Sequence, residues 1–200
     1  MTAIVKMRPG VPDLPDPNID DLMLALSMAR GVDQILSTVR AHARPLVGSD
    51  GITFVLRDGA MCHYAEEDAI SPLWKGMRFP LSTCISGWAM LNRRAVVIED
   101  IYSDDRIPHS AYRPTFVKSL AMVPVRRDDP VAAIGAYWGT RHRATDEEIA
   151  MLTRIANGAA VAFTNIALMD SLVAAKEEAL KAREEAVKAK EAIILAMASL

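Results

Sequence analysis

Few side chains in this sequence can do covalent or metal chemistry, and their spacing is the first constraint on function. There are two cysteines, Cys62 and Cys84, and four histidines, His42, His63, His109 and His142. The cysteines stand far apart, without the spacing of a disulfide framework or a four-thiolate zinc site. The histidines are scattered, with no i, i+4 pair and no carboxylate at metal spacing, so no metal site is indicated. Cys84 falls at the start of a short helical segment, where a thiol's pKa drops and its reactivity rises. Cys62, in a short strand, reads as a half-buried cysteine acting as a small apolar residue. No nucleophile, base and orienting group can be assembled, so an enzyme ranks last among the readings. The basic residues Arg126, Arg127, Arg141, His142 and Arg143 are offset by Asp128, Asp129 and the acids after Thr145. Together with a net charge of −2 and a pI near 6.1, this indicates solvated turns rather than a nucleic-acid partner.

The elements that would position these residues follow from hydrophobic period and turn chemistry. Residues 1–17 hold four prolines (Pro9, Pro12, Pro15, Pro17) without periodicity and read as a flexible N-terminal arm. Asn18 caps a helix through Ile19, Leu22, Met23 and Leu26 that Gly31 ends. A second helix starts at Asp33, runs through Ile35, Leu36, Val39, Ala43 and Leu46, and closes at Gly48. The period then changes to two over Ile52–Arg57, and Asp58-Gly59 turns the chain into a second strand, Met61–Tyr64. Glu66-Glu67-Asp68 reads as irregular. A short strand over Met77–Phe79, a helix over Ser82–Leu91 with Gly87 permitting close packing, and a strand over Ala95–Ile98 follow. Residues 99–117 form a loop or helical crossover. Ser119–Val125 and Val131–Trp138 are two long strands joined by a turn. The order predicts an α+β fold, an antiparallel sheet with helices packed on one face.

Beyond Thr145 nothing breaks a helix. Thr145 and Glu148 form a capping box, and Ile149, Leu152, Ala156, Ala159, Phe163 and Ile166 mark one buried face. AKEEALK, AREEAVK and AKEAIIL (175–195) are near-copies of a seven-residue unit. Val173, Leu180, Val187 and Ile194 recur every seventh residue beside Leu172, Ala179, Ala186 and Ile193. A strict heptad calls for a supercoil with a partner helix, so residues 171–200 are expected to form a coiled-coil signalling helix and the chain a homodimer. Lys176, Arg183 and Lys190 near the middle of the apolar arc weaken that seam and leave a solvated spacer helix as the other reading. No run approaches the apolar length of a membrane span and the start has no cleavage-type segment, so the expectation is a cytoplasmic protein with no membrane partner.

Several segments taken in order resemble the GAF domain, a sensor module of bacterial signalling proteins. They are Gly87-Trp88-Ala89, Ala95–Ile101, Asp105-Arg106-Ile107-Pro108, Val117–Val125, Ala133–Trp138 and the helix start at Thr145. The resemblance covers about residues 20–170, and residues 18–170 are taken as the sensory domain. It implies a central antiparallel sheet and a pocket between the sheet and the 99–117 crossover. The ligand-binding residues it implies are Trp74, Phe79, Ile98, Asp100, Tyr102, Arg106, Tyr112, Phe116, Ser119 and Trp138, aromatic and apolar walls with a few polar groups. Asp100 and Arg106 could instead pair with each other and hold the crossover shut.

The nearest flavour resembles the input domains of sensor histidine kinases, in which the last helix continues toward an output domain. This chain shows no phosphoacceptor histidine after His142, no Gly-rich ATP lid and no phosphodiesterase His-Asp pair, so the output is expected outside it. Cys62-His63 resembles the dipeptide that anchors bilin in phytochrome-type relatives. There, however, the cysteine precedes the strand equivalent to Ser119–Val125 by about a dozen residues, where this chain has Arg106, Ile107 and Pro108, with His109 following. Covalent bilin is therefore not expected, and the cofactor is left unknown. Free methionine sulfoxide reductase, an enzyme of the same fold, needs thiols that residues 85–200 lack. The expected function is a sensory or regulatory domain that takes a small ligand or another stimulus and relays it through a dimeric helix. The alternative is a ligand-free dimerisation scaffold.

Overall fold

The computed structural model describes residues 18–198; the arm expected over 1–17 and the last two residues of the expected coil lie outside them. Six antiparallel strands form one sheet in the order β3-β2-β1-β6-β5-β4. They are β1 (Gly51–Asp58), β2 (Met61–Ala69), β3 (Arg78–Pro80), β4 (Val96–Ile98), β5 (Ser119–Val125) and β6 (Ala132–Trp138). Side chains alternate between the two faces of a strand, and here both faces are covered. Ile52 and Phe54 of β1, Ala121, Val123 and Val125 of β5, and Ala132, Ile134, Ala136 and Trp138 of β6 pack on one side. That side meets helices α1 (Ile19–Ser27), α2 (Val32–Val47) and the first turns of α5 (Asp146–Ala198). Val55, Cys62, Tyr64, Leu120, Met122, Ala133 and Tyr137 line the other side, beneath α3 (Ile85–Asn92) and the crossover.

Caps fix the helix ends as their residue types dictate. Asn18 Oδ1 accepts the Asp20 amide at 2.9 Å, and Gly48, at φ +71°, ends α2 in the left-handed conformation that glycine adopts without strain. Gly31 does not stop α1, as its position suggested. α1 ends at Ser27, and Gly31 in extended backbone precedes α2, which begins at Val32 rather than Asp33. Thr145 and Glu148 exchange both capping-box bonds, at 2.7 and 3.2 Å.

The acidic run read as irregular is strand. β2 continues through Glu66, Glu67 and Asp68, because a bulge interrupts its register with β1 between Phe54–Glu66 and Val55–Tyr64. The extra residue shifts the alternation by one. Asp68 then meets Arg44 of α2 at 2.6 Å, whereas Glu67 points toward the loop at 70–77. Interior carboxylates in a strand are tolerated here because each has a partner. The crossover contains a single 3-10 turn over Ile101–Ser103 and a one-turn helix α4 (His109–Tyr112).

α5 has 53 residues, about 80 Å at 1.5 Å per residue. Leu152, Ile155, Ala156, Ala159 and Ala162 are buried against the sheet, and Ile149, Phe163 and Ile166 are partly so. Every described side chain after Ile166 is exposed. Asp146–Leu195 also contains a window of mean hydropathy 1.5, long and apolar enough by length and composition to cross a membrane, in contrast to the expectation that no segment approaches a membrane span. At the domain end of the helix that apolarity serves packing: a Cβ on Gly158 would meet Met23 Sδ at 2.6 Å.

Candidate functional site

The site side of the sheet is built around an aromatic cluster, and the bulged strand sets its position. The Glu67 carboxylate accepts the amides of Leu73, Trp74 and Lys75 at 3.0, 2.9 and 2.9 Å, which pins the 70–77 loop over the sheet. Trp74 is thereby turned inward. Its indole Nε1 donates to the Ala111 carbonyl at 3.1 Å, tying the loop to α4. The ring meets Tyr112, Tyr137 and Tyr64 edge-on, with centroids 4.7, 5.5 and 5.6 Å away, and Phe79 packs on Tyr64 at 5.5 Å. Edge-to-face contacts of this kind add about 0.5–1.5 kcal/mol each beyond area burial.

The buried hydroxyls are matched: Tyr137 Oη with Thr53 Oγ1 at 2.9 Å, and Tyr64 Oη with Ser86 Oγ at 3.1 Å. Burial pushes all three phenols, Tyr64, Tyr112 and Tyr137, above the usual tyrosine range, so they stay neutral.

The cluster nearly fills its own space. A cavity of about 10 Å³ remains among Tyr64, Trp74, Phe79, Cys84, Pro108, Ala111 and Tyr112, room for about one water molecule. Two open clefts flank it. One, of about 470 Å³, lies between the 70–77 loop and α4, bordered by Leu73, Met77, Ser110 and Thr115 with Trp74 and Phe79 as its floor. The other, of about 310 Å³, is bordered by Ser82, Cys84, Trp88, Arg106 and Pro108. In it the Arg106 guanidinium lies 4.6 Å over the Trp88 ring and binds Asp104, whose carboxyl it holds below the usual range.

Cys84 borders this second cleft, and Cys62 is buried in the same apolar cluster. β3 pairs with β2 so that Phe79 lies opposite Cys62 and Pro80 opposite Met61. The 3-10 turn Leu81–Thr83 then folds Cys84 back until its Sγ is 3.5 Å from the Pro80 carbonyl and 3.3 Å from Ser86 Oγ. Cys62 is fully buried beside it, and Cys84 is 6% exposed. The neighbouring Cys62 thiol, with the Ser86 hydroxyl and the Gly87 and Ser86 amides at the start of α3, pulls the Cys84 thiol below its ordinary value against the cost of burial. Cys62, next to Cys84 and buried, is pushed up.

The ten residues implied by resemblance divide into three groups. Trp74, Phe79, Ile98, Tyr112 and Phe116 gather on the aromatic side of the sheet. Asp100, Tyr102 and Arg106 lie on the crossover. Asp100 caps the 3-10 turn by accepting the Tyr102 amide at 2.9 Å, and Arg106 pairs with Asp104 in its place, because that carboxylate is only two residues away. Tyr102 is exposed against His109 and Lys118. Ser119 and Trp138, register partners, face the helical side: Ser119 Oγ donates to the Thr140 carbonyl at 2.8 Å and Trp138 packs on His142 at 4.6 Å. They lie across the sheet from the aromatic cluster.

Tyr64, Tyr137 and Glu67 went unmarked in the sequence. The two tyrosines could have been found by strand alternation, since Tyr137 faces opposite to Trp138. The Glu67 contacts depend on a bulge that carries no local pattern.

A family model for the GAF domain matches residues 29–164. A comparison with curated proteins returned no match. Among solved structures, the chain is similar to residues 122 to 287 of a methyl-accepting chemotaxis protein, at TM-score 0.65 and 15% identity over 74% of this chain and 98% of that one. It is similar to the GAF-B domain of DevS from Mycobacterium smegmatis, at TM-score 0.57 and 21% identity over 70% of this chain and 98% of that one. It is also similar to free methionine-R-sulfoxide reductase from Neisseria meningitidis, at TM-score 0.65 and 16% identity over 76% and 89%.

Proposed function

We propose, from the premise that this chain belongs to the GAF domain family, that it is a regulatory input domain that relays a stimulus along α5 to an output element. The observation that carries this is the continuity of α5. Its first five turns are part of the domain core, and the same unbroken helix then leaves the body with an apolar edge in water. Leu168, Leu172, Ala175, Ala179, Ala182, Ala186, Ala189 and Ile193 fall at alternating spacings of four and three, all exposed. They form a heptad face that Lys176, Arg183 and Lys190 flank rather than interrupt. A lone helix of this composition is marginal in water, so the face supports a second copy of the chain as its partner. A change in how α5 seats on the sheet then shifts the register of the paired helices, a population shift between two packings. The resemblance to a chemotaxis protein and to DevS supports a signalling setting, and the reading places the domain in the cytoplasm, where its thiols stay reduced.

A small ligand would enter through the 470 Å³ cleft and displace Trp74 from Tyr112, loosening the loop that Glu67 pins. A second reading is favoured by one observation. The aromatic cluster leaves room for about one water, as expected of a scaffold whose pocket is filled by its own side chains. Native mass spectrometry of the purified chain, with an absorbance spectrum of the same sample, separates the two. Extra mass that is lost in Trp74→Ala or Tyr112→Ala supports a ligand-binding input domain. An apo dimer without a visible band transfers the weight to the scaffold.

A further inference from the structure

We propose that the second copy lies on α5 parallel and in register, with Glu178 of each copy paired to Arg183 of the other and Glu185 to Lys190. This rests on the pairing of α5 with a copy of itself and adds the direction and register of that pair. Leu172, Ala179, Ala186 and Ile193 occupy the a positions of the heptad, and Leu168, Ala175, Ala182 and Ala189 the d positions. The margins of the seam are then fixed. Lys176, Arg183 and Lys190 take e, and Ser171, Glu178 and Glu185 take g, so one margin is basic and the other mostly acidic. All six side chains are exposed. The three cations lack a carboxylate on their own helix. Side chains meet along a helix at spacings of three and four. At those spacings Lys176 has Leu172, Val173, Ala179 and Leu180, and Arg183 has Ala179, Leu180, Ala186 and Val187. Lys190 has Ala186, Val187, Ile193 and Ile194. Among the described residues none of the three makes an ion pair within the chain. Lys181, opposite the seam, instead has Glu177, Glu178, Glu184 and Glu185 at the same spacings. The basic margin is the one left for a carboxylate from outside the helix.

Charges across the e and g margins set the orientation of paired helices. In a parallel pair, a g residue of one helix meets the e residue five positions further on in the other. In register this sets Glu178 against Arg183 and Glu185 against Lys190, twice over by two-fold symmetry. In any antiparallel pair e runs along e and g along g, so cations face cations and carboxylates face carboxylates. Residue size selects the register. With no offset, Leu168, Leu172 and Ile193 meet themselves toward the two ends, and the alanines between them let the helices approach closely. A slip of one heptad sets Leu172 against Ala179 and Ile193 against Ala186, and it turns one Glu185 toward Met197 instead of a cation. The two domains therefore sit side by side at one end, and both helices leave them in the same direction.

The test is disulfide trapping in the full chain, beside sedimentation equilibrium. Ala179→Cys and Ala186→Cys, each alone, are oxidised and read by non-reducing electrophoresis and peptide mapping, with the wild type, whose own cysteines are buried, as the control. Both variants are expected to cross-link to themselves, 179 to 179 and 186 to 186. No antiparallel pair does both, because a register that brings 179 opposite itself sets 186 opposite 172. Glu178→Lys/Glu185→Lys should weaken association at least about tenfold, since every cross-helix pair becomes a repulsion. Glu177→Lys/Glu184→Lys, the same change of charge at positions facing away from the seam, should weaken it less than about twofold. Wild-type association should also weaken as salt is raised, because attraction between exposed charges is screened. A wild-type dimer in which one position or neither cross-links to itself overturns the parallel register and leaves the pairing of α5 standing. A dimer indifferent to Glu178→Lys/Glu185→Lys does the same. A monomeric wild type overturns both the register and the pairing it rests on.

Discussion

At Glu67 one carboxylate holds three backbone amides, and this single residue decides where Trp74 points. Charge-assisted hydrogen bonds are the stronger class, and removing the acceptor leaves the amides of a half-buried loop unmatched. Glu67→Ala should therefore lower stability by about 2–3 kcal/mol in urea denaturation and red-shift the Trp74 fluorescence as the loop lifts. Asp129→Ala, whose carboxylate is 78% exposed and 3.8 Å from Arg57, should stay within about 0.5 kcal/mol. Gly87 is the second such residue. A Cβ there would sit 1.9 Å from the Leu81 carbonyl oxygen, a backbone atom that cannot swing away. Gly87→Ala should cost at least about 1–3 kcal/mol by overpacking, read as a fall in the denaturation midpoint. This contact was legible in the sequence, because a glycine inside a helical pattern asks for a close neighbour. The role of Glu67 was not, since nothing local distinguishes it from Glu66.

Among the elements, β2, α4 and β6 carry most of the site, and their tyrosines set its response to pH. Tyr64, Tyr112 and Tyr137 have values raised by burial, so the folded state favours the neutral phenol. The stabilising contribution is fully present below the unfolded value of about 10 and is lost as pH rises through the raised folded values. In an alkaline titration at the phenolate absorbance band, these three should ionise only as circular dichroism reports unfolding. Ionisation of Tyr64, Tyr112 and Tyr137 near pH 10 with the fold intact would contradict the packed cluster. The strand Ile52–Arg57 was legible from its alternation, and Ser119–Val125 and 131–138 as apolar runs on either side of a polar turn, buried on both faces. Assigning Ser119 and Trp138 to the pocket failed for a related reason: a family pattern identifies positions along a strand, whereas the pleat assigns the face. β2 past Tyr64 was hidden because its polar residues are satisfied by Arg44 and by loop amides, contacts distant in sequence.

For the whole molecule, the order of elements and the capped start of α5 were readable at the outset, since both are written in local period and cap residues. How the two faces of the sheet are shared out was readable only in part. The aromatic side depends on long-range meetings, Trp74 with Ala111 and Tyr64 with Ser86, that no periodicity announces. The central claim is that α5 joins two copies of the domain along the face running from Leu172 to Ile193. Sedimentation equilibrium of the chain, beside the double variant Ala179→Asp/Ala186→Asp, tests it most directly. These residues are exposed and far from the core, so the variant keeps its fold. The account predicts a wild-type dimer and a monomeric variant, at least about tenfold weaker in association because charges must be buried against each other. A monomeric wild type, or a variant that dimerises as tightly as the wild type, would contradict it.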